Sequence, residues 1–204
     1  MSGRGNLDGV ASRVLAGLVL AGAAVSGGCA MASRTPRPVV VEMSTSAGLI
    51  VMELDEKRAP VGTANFLKYA DRGDYAGTVF HRVVPGFVVQ GGGQTVDLKE
   101  LPSDPPIVNE WQNGMRNLRG TVGWARDADP DTATREFYIN LVDNEKLDRP
   151  RPGTGGAGYA VFGRVVAGMD VVDTIATGET YEIPTREMKN VPRNPVVVTS
   201  VRRR

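Results

Sequence analysis

From residue 39 onward the chain is built mostly of short runs in which apolar and polar positions alternate. Val39–Ser44 and Leu49–Leu54 alternate around a Ser/Gly turn and predict a hairpin. Pro60–Arg72 predicts a helix instead: Pro60 suits its first turn, Gly73 suits its stop, and Val61, Ala64, Leu67 and Ala70 are read as one apolar face at i, i+3, i+6 and i+9. Thr78–Val84 and Phe87–Gln90 are β-rich runs joined by Pro85-Gly86, where Pro presets one turn position and Gly accepts positive φ at the next. Residues 91–119 have weak periodicity and many Pro, Asn and Gly, and predict long ordered loops.

Gly120–Ala125, Glu136–Leu141, Tyr159–Val166 and Val196–Val201 complete the predicted strands. In Glu136–Leu141, Phe137, Ile139 and Leu141 face one way, and Glu136, Tyr138 and Asn140 the other. Met169–Ala176 predicts a short helix with Val171, Val172 and Ile175 apolar, and both Asp148–Gly158 and 177–195 read as loops. Two helices among eight strands do not form βαβ units, so a parallel sheet is not expected. The predicted class is all-β dominated: a closed eight-stranded antiparallel barrel, which removes sheet edges, capped by two α-helices. Side chains fill an interior of that size, which argues against transport of small molecules through it.

The alternation does not begin until residue 39, and the stretch before it has a different character. Arg4 and Arg13 precede an uncharged apolar run from Val14 to Val25, followed by Ser26-Gly27-Gly28. The run is shorter than the about 20 residues a membrane span needs, and the three regions together read as a signal peptide over residues 1–29. Two cleavage readings compete. Ser26-Gly27-Gly28-Cys29 resembles a lipobox, apart from Ser26 where Leu or Val is usual, and would leave Cys29 as a lipidated first residue. Ala30-Met31-Ala32 fits ordinary signal peptidase and would leave a soluble product. The lone cysteine sits at the end of the apolar run, which favours the lipoprotein. Residues 30–38 read as a flexible tether and 39–204 as the folded domain, placed on the periplasmic side of a bacterial envelope.

The 204 residues suit one domain with a full core, and a net charge of +1 gives no reason to expect nucleic acid as a partner. A single cysteine and a single histidine exclude an intramolecular disulfide, a cysteine-rich zinc site and transition-metal catalysis. Gly153–Gly158 spells G-x-G-x-x-G, but Asp148–Pro152 precedes it and a strand follows, so it reads as a loop and not a dinucleotide site. Asp127, Asp129 and Asp131 mimic the start of a calcium loop, yet Thr132 replaces its glycine and Tyr138 its final glutamate. No metal or cofactor is expected.

The remaining chemistry concentrates in Phe80–Gly93, which holds the only histidine, His81, with Arg82, Phe87 and Gln90, and ends in three glycines. This stretch resembles the cyclophilin signature. Supporting blocks are Asn65–Leu67, Asn117–Thr121, Glu136–Asn140 and Phe162–Val172. The similarity extends over about Val41 to Val201 and is to the short, exported bacterial type. It implies peptidyl-prolyl cis–trans isomerase activity on proline-containing unfolded or flexible polypeptides, by a monomer. By resemblance, Arg82 is the donor to the twisted amide. Phe87, Val88, Tyr138 and Leu147 line the proline pocket, and Gln90 holds substrate backbone. Ala125 and the Arg126 backbone face the residue before proline, and His81 and Tyr159 sit at the rim.

Several positions depart from the family pattern. Val88 is smaller than the usual Met, Tyr138 adds a hydroxyl where Phe is common, and Lys146 replaces an aromatic residue, so cyclosporin binding is expected to be weak. Glu136 replaces the usual Gln, and its carboxylate is expected to contact Arg82. Trp124, beside the groove, is read as a packing residue. A two-residue hairpin would put Arg82 opposite Val89, on the wrong parity for Val88 and Gln90, so their convergence is what the resemblance implies; a type II Pro-Gly turn fits such hairpins poorly, and a longer or bulged connection is expected.

Overall fold

A computed structural model describes residues 38–204. The stretch read as a signal peptide, Cys29 and the stretch read as a tether, up to Arg37, lie outside the described residues. The chain enters at β1 (Val39–Thr45), turns into β2 (Gly48–Leu54), and crosses to α1 (Pro60–Arg72). Then follow β3 (Arg82–Val84), β4 (Val88–Gly91), β5 (Thr121–Trp124) and β6 (Phe137–Asn140). A 3₁₀ turn (Glu145–Asp148) leads to β7 (Val161–Ala167) and α2 (Met169–Ala176), then to β8 (Thr180–Ile183), β9 (Met188–Pro192) and β10 (Val198–Arg203).

Eight of these strands form one antiparallel sheet in the order β10-β1-β2-β7-β5-β6-β4-β3. The sheet curls into a half-barrel and does not close as expected. Its edges β3 and β10 share no ladder. The segment just before β3 reaches the start of β10 through an isolated bridge between Val79 and Val197, with Val198 N donating to Thr78 O (2.8 Å), Gly77 N to Val198 O (2.8 Å) and Phe80 N to Val196 O (3.1 Å). Period-two patterning fixes which face a residue takes, but it carries no information on whether the first and last strands of the order meet.

The segment 177–195, expected to be a loop, holds the β8–β9 hairpin as a separate two-stranded sheet. Its strands are mostly half-exposed and polar, so no alternating stripe announced them. β3 covers only the end of the predicted Thr78–Val84 run, and β7 starts two residues after Tyr159.

Helix α1 has the predicted bounds but a different buried face. Val61 and Ala64 are exposed, while Gly62, Thr63, Asn65, Phe66, Leu67, Tyr69 and Ala70 are buried. At 3.6 residues per turn, positions nine apart lie half a turn from each other, so Val61 and Ala70 were never one stripe. The helix has no acidic residue in its first turn. Its N-terminus is capped from a distance instead: the Glu110 carboxylate accepts from Val61 N (3.0 Å) and Gly62 N (2.8 Å). Gly73 ends the helix at φ 76°, as its position in the sequence predicts.

The core lies inside the curl. Phe66 brings an aromatic cluster together there, with ring centroids at 4.9 Å to Tyr75, 5.5 Å to Phe162 and 5.6 Å to Phe137. Trp124 stacks on Phe162 at 4.6 Å and is 2% exposed, so it packs as expected.

Candidate active site

The Pro85-Gly86 turn decides the geometry of the site. Phe87 N donates to Val84 O (3.0 Å) and Gly86 adopts φ 70°, so the turn spans three residues between paired strands. The register is therefore Arg82↔Gln90, Val83↔Val89 and Val84↔Val88. This is the longer connection that the parity of Val88 and Gln90 requires. β4 pairs with β6 so that Gln90 opposes Tyr138, and β6 pairs with β5 so that Tyr138 opposes Gly123. Arg82, Gln90, Tyr138 and Gly123 thus form one row across four strands, on the face opposite the core residues Val83, Val89 and Ile139. A Cβ on Gly123 would collide with the Tyr138 hydroxyl, so the absent side chain is what lets the tyrosine ring lie across β5.

A second apolar cluster, separate from the main core, forms on this face. Val88, Tyr138 and Leu147 are buried in it, and Phe87, Ala125 and Tyr159 pack against them. Leu147 arrives on the 3₁₀ turn, which is tied to Tyr159 through Tyr159 N donating to Leu147 O (2.8 Å). The cluster forms the floor of a groove of about 590 Å³ that is also lined by Arg82, Gln90, His81, Glu136 and Arg126. All eleven domain residues singled out from sequence therefore face one groove. Lys146 is exposed on the same 3₁₀ turn.

The polar wall differs from expectation in two respects. Glu136 makes no ion pair or hydrogen bond to Arg82. Its Oε2 accepts from Gln90 Nε2 (2.8 Å) and lies 3.5 Å from His81 Nε2, while Arg82 Nη1 donates to Gln90 Oε1 (3.1 Å). Gln90 stands between them because it, and not Glu136, is the cross-strand partner of Arg82. His81, expected at the rim, is 5% exposed and buried beside Glu136; its Nδ1 finds no partner among the described residues. A residue just ahead of a short edge strand can turn inward, and strand parity does not report that.

Electrostatics follow from this packing. Burial pushes the Glu136 carboxyl up, but His81, Gln90 and Arg135 together outweigh it and hold the group below its ordinary value of 4.5. Burial lowers the Arg82 pKa, opposed by Tyr159 and Glu136, and a guanidinium lowered in this way stays charged. Burial raises the Tyr138 phenol well above its usual range, so the hydroxyl acts as a neutral donor.

Three supporting residues were not assigned a role from sequence. Asn117 is fully buried beneath the pocket. Its Oδ1 accepts from Tyr138 Oη (2.6 Å) and Asn140 Nδ2 (3.1 Å), and its Nδ2 donates to Asp148 Oδ1 (2.9 Å) and Tyr159 O (3.2 Å). Arg135 donates to the carbonyls of Asp74 (2.6 Å), Gly92 (2.7 Å) and Pro102 (2.8 Å), which fixes the loop after β4. Gly93 gives room to Glu136. The partners of these residues lie 20 or more positions away, so no local signal exposes them.

Arg126 also acts through its side chain. It stacks over Tyr159 at 4.3 Å and donates to the carbonyls of Thr154, Ala157 and Gly158, which pins the glycine-rich loop against the groove. Asp129 and Asp131 cap turns, with Oδ1 of Asp131 accepting from Asn109 N (2.8 Å). No group of three or more metal-ligating side chains occurs among the described residues.

Asn117→Ala is expected to strand the Tyr138 hydroxyl and part of Asp148, destabilising the domain by about 1–3 kcal/mol and raising KM more than it lowers kcat. Urea unfolding together with peptide kinetics checks this; unchanged KM and midpoint would contradict it.

Comparison with known proteins agrees with this geometry. Residues 40–203 match the family described as cyclophilin type peptidyl-prolyl cis-trans isomerase/CLD. Peptidyl-prolyl cis-trans isomerase A of Dickeya dadantii is 44% identical over 193 residues, covering 95% of this chain and 98% of that protein. Isomerase cyp18 of Streptomyces antibioticus is 47% identical over 162 residues, covering 79% and 96%. A Cryptosporidium parvum cyclophilin, crystallised in the presence of the dipeptide Ala-Pro, shares the fold at TM-score 0.66 and 20% identity, covering 81% of this chain and 98% of its own. The chain belongs to the cyclophilin-type family and is a peptidyl-prolyl cis–trans isomerase.

Proposed function

We propose that this isomerase accelerates Xaa-Pro rotation in unfolded or flexible exported polypeptides, with Arg82 donating to the proline nitrogen of the twisted amide. Rotation faces a barrier of about 18–20 kcal/mol from amide resonance, and no bond is made or broken in it. Twisting makes the nitrogen pyramidal and returns its lone pair. A guanidinium aimed there stabilises the twisted state more than the planar one, and each 1.4 kcal/mol of such preference is about tenfold in rate. The observation that carries this reading is the row Arg82–Gln90–Tyr138, which sets a fixed cation at the lip of the apolar cluster. In it, the proline ring sits on Phe87, Val88, Tyr138 and Leu147, and Gln90 holds substrate backbone. The Ala-Pro dipeptide used with the related Cryptosporidium protein is a ligand of the kind such a groove takes. The exported setting rests on residues 1–29, where Cys29 would carry a lipid anchor to the membrane.

The test is refolding of a denatured protein whose slow phase is limited by proline isomerisation. The full chain is expected to accelerate that phase in proportion to enzyme concentration. Arg82→Lys, which keeps the charge but loses the planar fork, is expected to act about 10-fold less well. No acceleration by the wild type rejects the client assignment. Equal acceleration by the variant rejects the role given to the Arg82 guanidinium.

A further inference from the structure

Gln90 is held between two groups of opposite hydrogen-bonding character. A guanidinium can only donate and an ionised carboxylate can only accept. Arg82 Nη1 donates to Gln90 Oε1 (3.1 Å), and Gln90 Nε2 donates to Glu136 Oε2 (2.8 Å). The two ends of a glutamine amide are otherwise nearly interchangeable. Reversing this one would set N–H against guanidinium and oxygen against carboxylate, two repulsive contacts at once. We propose that Glu136 is a positioning residue of the isomerase: its carboxylate fixes the amide of Gln90 in one orientation, and Gln90 in turn holds the guanidinium of Arg82 in place. A glutamine at position 136 can donate as well as accept and would not impose that polarity.

A second observation shows that the chain makes room for this carboxylate. A Cβ on Gly93 would overlap Glu136 Oε1 and lie 2.5 Å from its Cγ and 2.6 Å from its Cδ. The backbone at Gly93 is not in the left-handed region, so its φ does not demand glycine. What demands it is the space that Glu136 occupies. The charged and titratable groups facing Glu136 are His81, 3.5 Å away on the segment before β3, Arg82 on β3, the preceding Arg135, and Glu100 across the groove. His81, Gln90 and Arg135 together outweigh the cost of burial, and the carboxyl stays ionised at neutral pH.

The proposal deepens the reading of Arg82 as donor and rests on it, so the experiment separates the two. Gln90→Glu alone places two carboxylates in contact and is expected to lower kcat for an Ala-Pro peptide about 100-fold at neutral pH. Part of the loss returns as the pH falls, because such a pair takes up a proton readily. Combining Gln90→Glu with Glu136→Gln restores a donor–acceptor relay: the new amide at 136 donates to the new carboxylate at 90, which accepts from Arg82. The double variant is expected to exceed Gln90→Glu by about 10-fold in kcat, with KM unchanged and the acid recovery gone.

A double variant no faster than Gln90→Glu overturns the proposal, provided Arg82→Ala still loses turnover. If Arg82→Ala keeps wild-type kcat, the donor reading itself falls. Gly93→Ala offers a route that leaves Gln90 untouched: it displaces the Glu136 side chain and is expected to lower kcat about 5-fold without raising KM. Unchanged kcat in that variant also overturns the proposal.

Discussion

Arg82→Ala is expected to lower kcat for an Ala-Pro peptide by about 10²–10³-fold, the usual loss when one preorganised donor to a transition-state charge is removed. The reaction offers little else to lose. It needs no nucleophile, no proton transfer and no leaving group, so discrimination between twisted and planar amide must come from a fixed dipole or charge beside the nitrogen. Arg82 is half-buried, which strengthens its field over that of a solvated arginine, and Gln90 restrains it. The apolar floor of Val88, Tyr138 and Leu147 remains when the guanidinium is removed, so substrate still docks. Loss should therefore appear in kcat and far less in KM. A raised KM with kcat intact would mean that Arg82 merely binds the peptide.

Phe66→Ala is expected to destabilise the domain by about 3–5 kcal/mol, against a total stability of about 5–15 kcal/mol for a domain. Phe66 is fully buried and lies where α1 meets the concave face of the sheet. It stacks on Tyr75, meets Phe137 edge-on at 76° and touches Phe162, so truncation opens a cavity that no single neighbour can fill. Phe137 is also the residue between Glu136 and Tyr138, so loosening it disturbs both walls of the groove. A urea titration should show a lower midpoint with an unchanged slope; a loss below about 1 kcal/mol would contradict this account of the core.

Much of the site was legible because strand parity is legible. Tyr138 opposite Phe137 and Ile139, and Val88 with Gln90, followed from period two alone. The longer connection at Pro85-Gly86 was expected because a type II Pro-Gly turn fits a two-residue hairpin poorly and because the family resemblance groups Arg82 with Val88 and Gln90; the three-residue connection meets it. What failed were inferences that needed a partner's identity. Glu136 was assigned to Arg82, but one strand lies between them and its side chain, Gln90, takes both bonds. His81 was placed at the rim by analogy, while the turn of the chain ahead of β3 buries it.

Asn117 and Arg135 are hubs whose partners are 20 or more residues away in sequence, and a buried asparagine in a loop looks locally like any turn residue. The β8–β9 hairpin was missed for a simpler reason. Glu187 and Asn190 take positive φ there without glycine, and the buried residues of the two strands are only the adjacent Val191 and Pro192, which make no alternating stripe. The open edge of the sheet between β3 and β10 is a matter of register between strands far apart in sequence, and hydrophobic alternation is blind to it.

The central claim, that Arg82 acts on the twisted amide and not on binding, is tested most directly by exchange spectroscopy on an Ala-Pro peptide with wild type and Arg82→Ala. One sample yields both the dissociation constant and the rate of exchange on the enzyme. The account predicts affinities within about threefold of each other and an on-enzyme rate reduced by about 10² or more in the variant. An exchange rate that matches the wild type, or a rate loss that only tracks lost affinity, would contradict it.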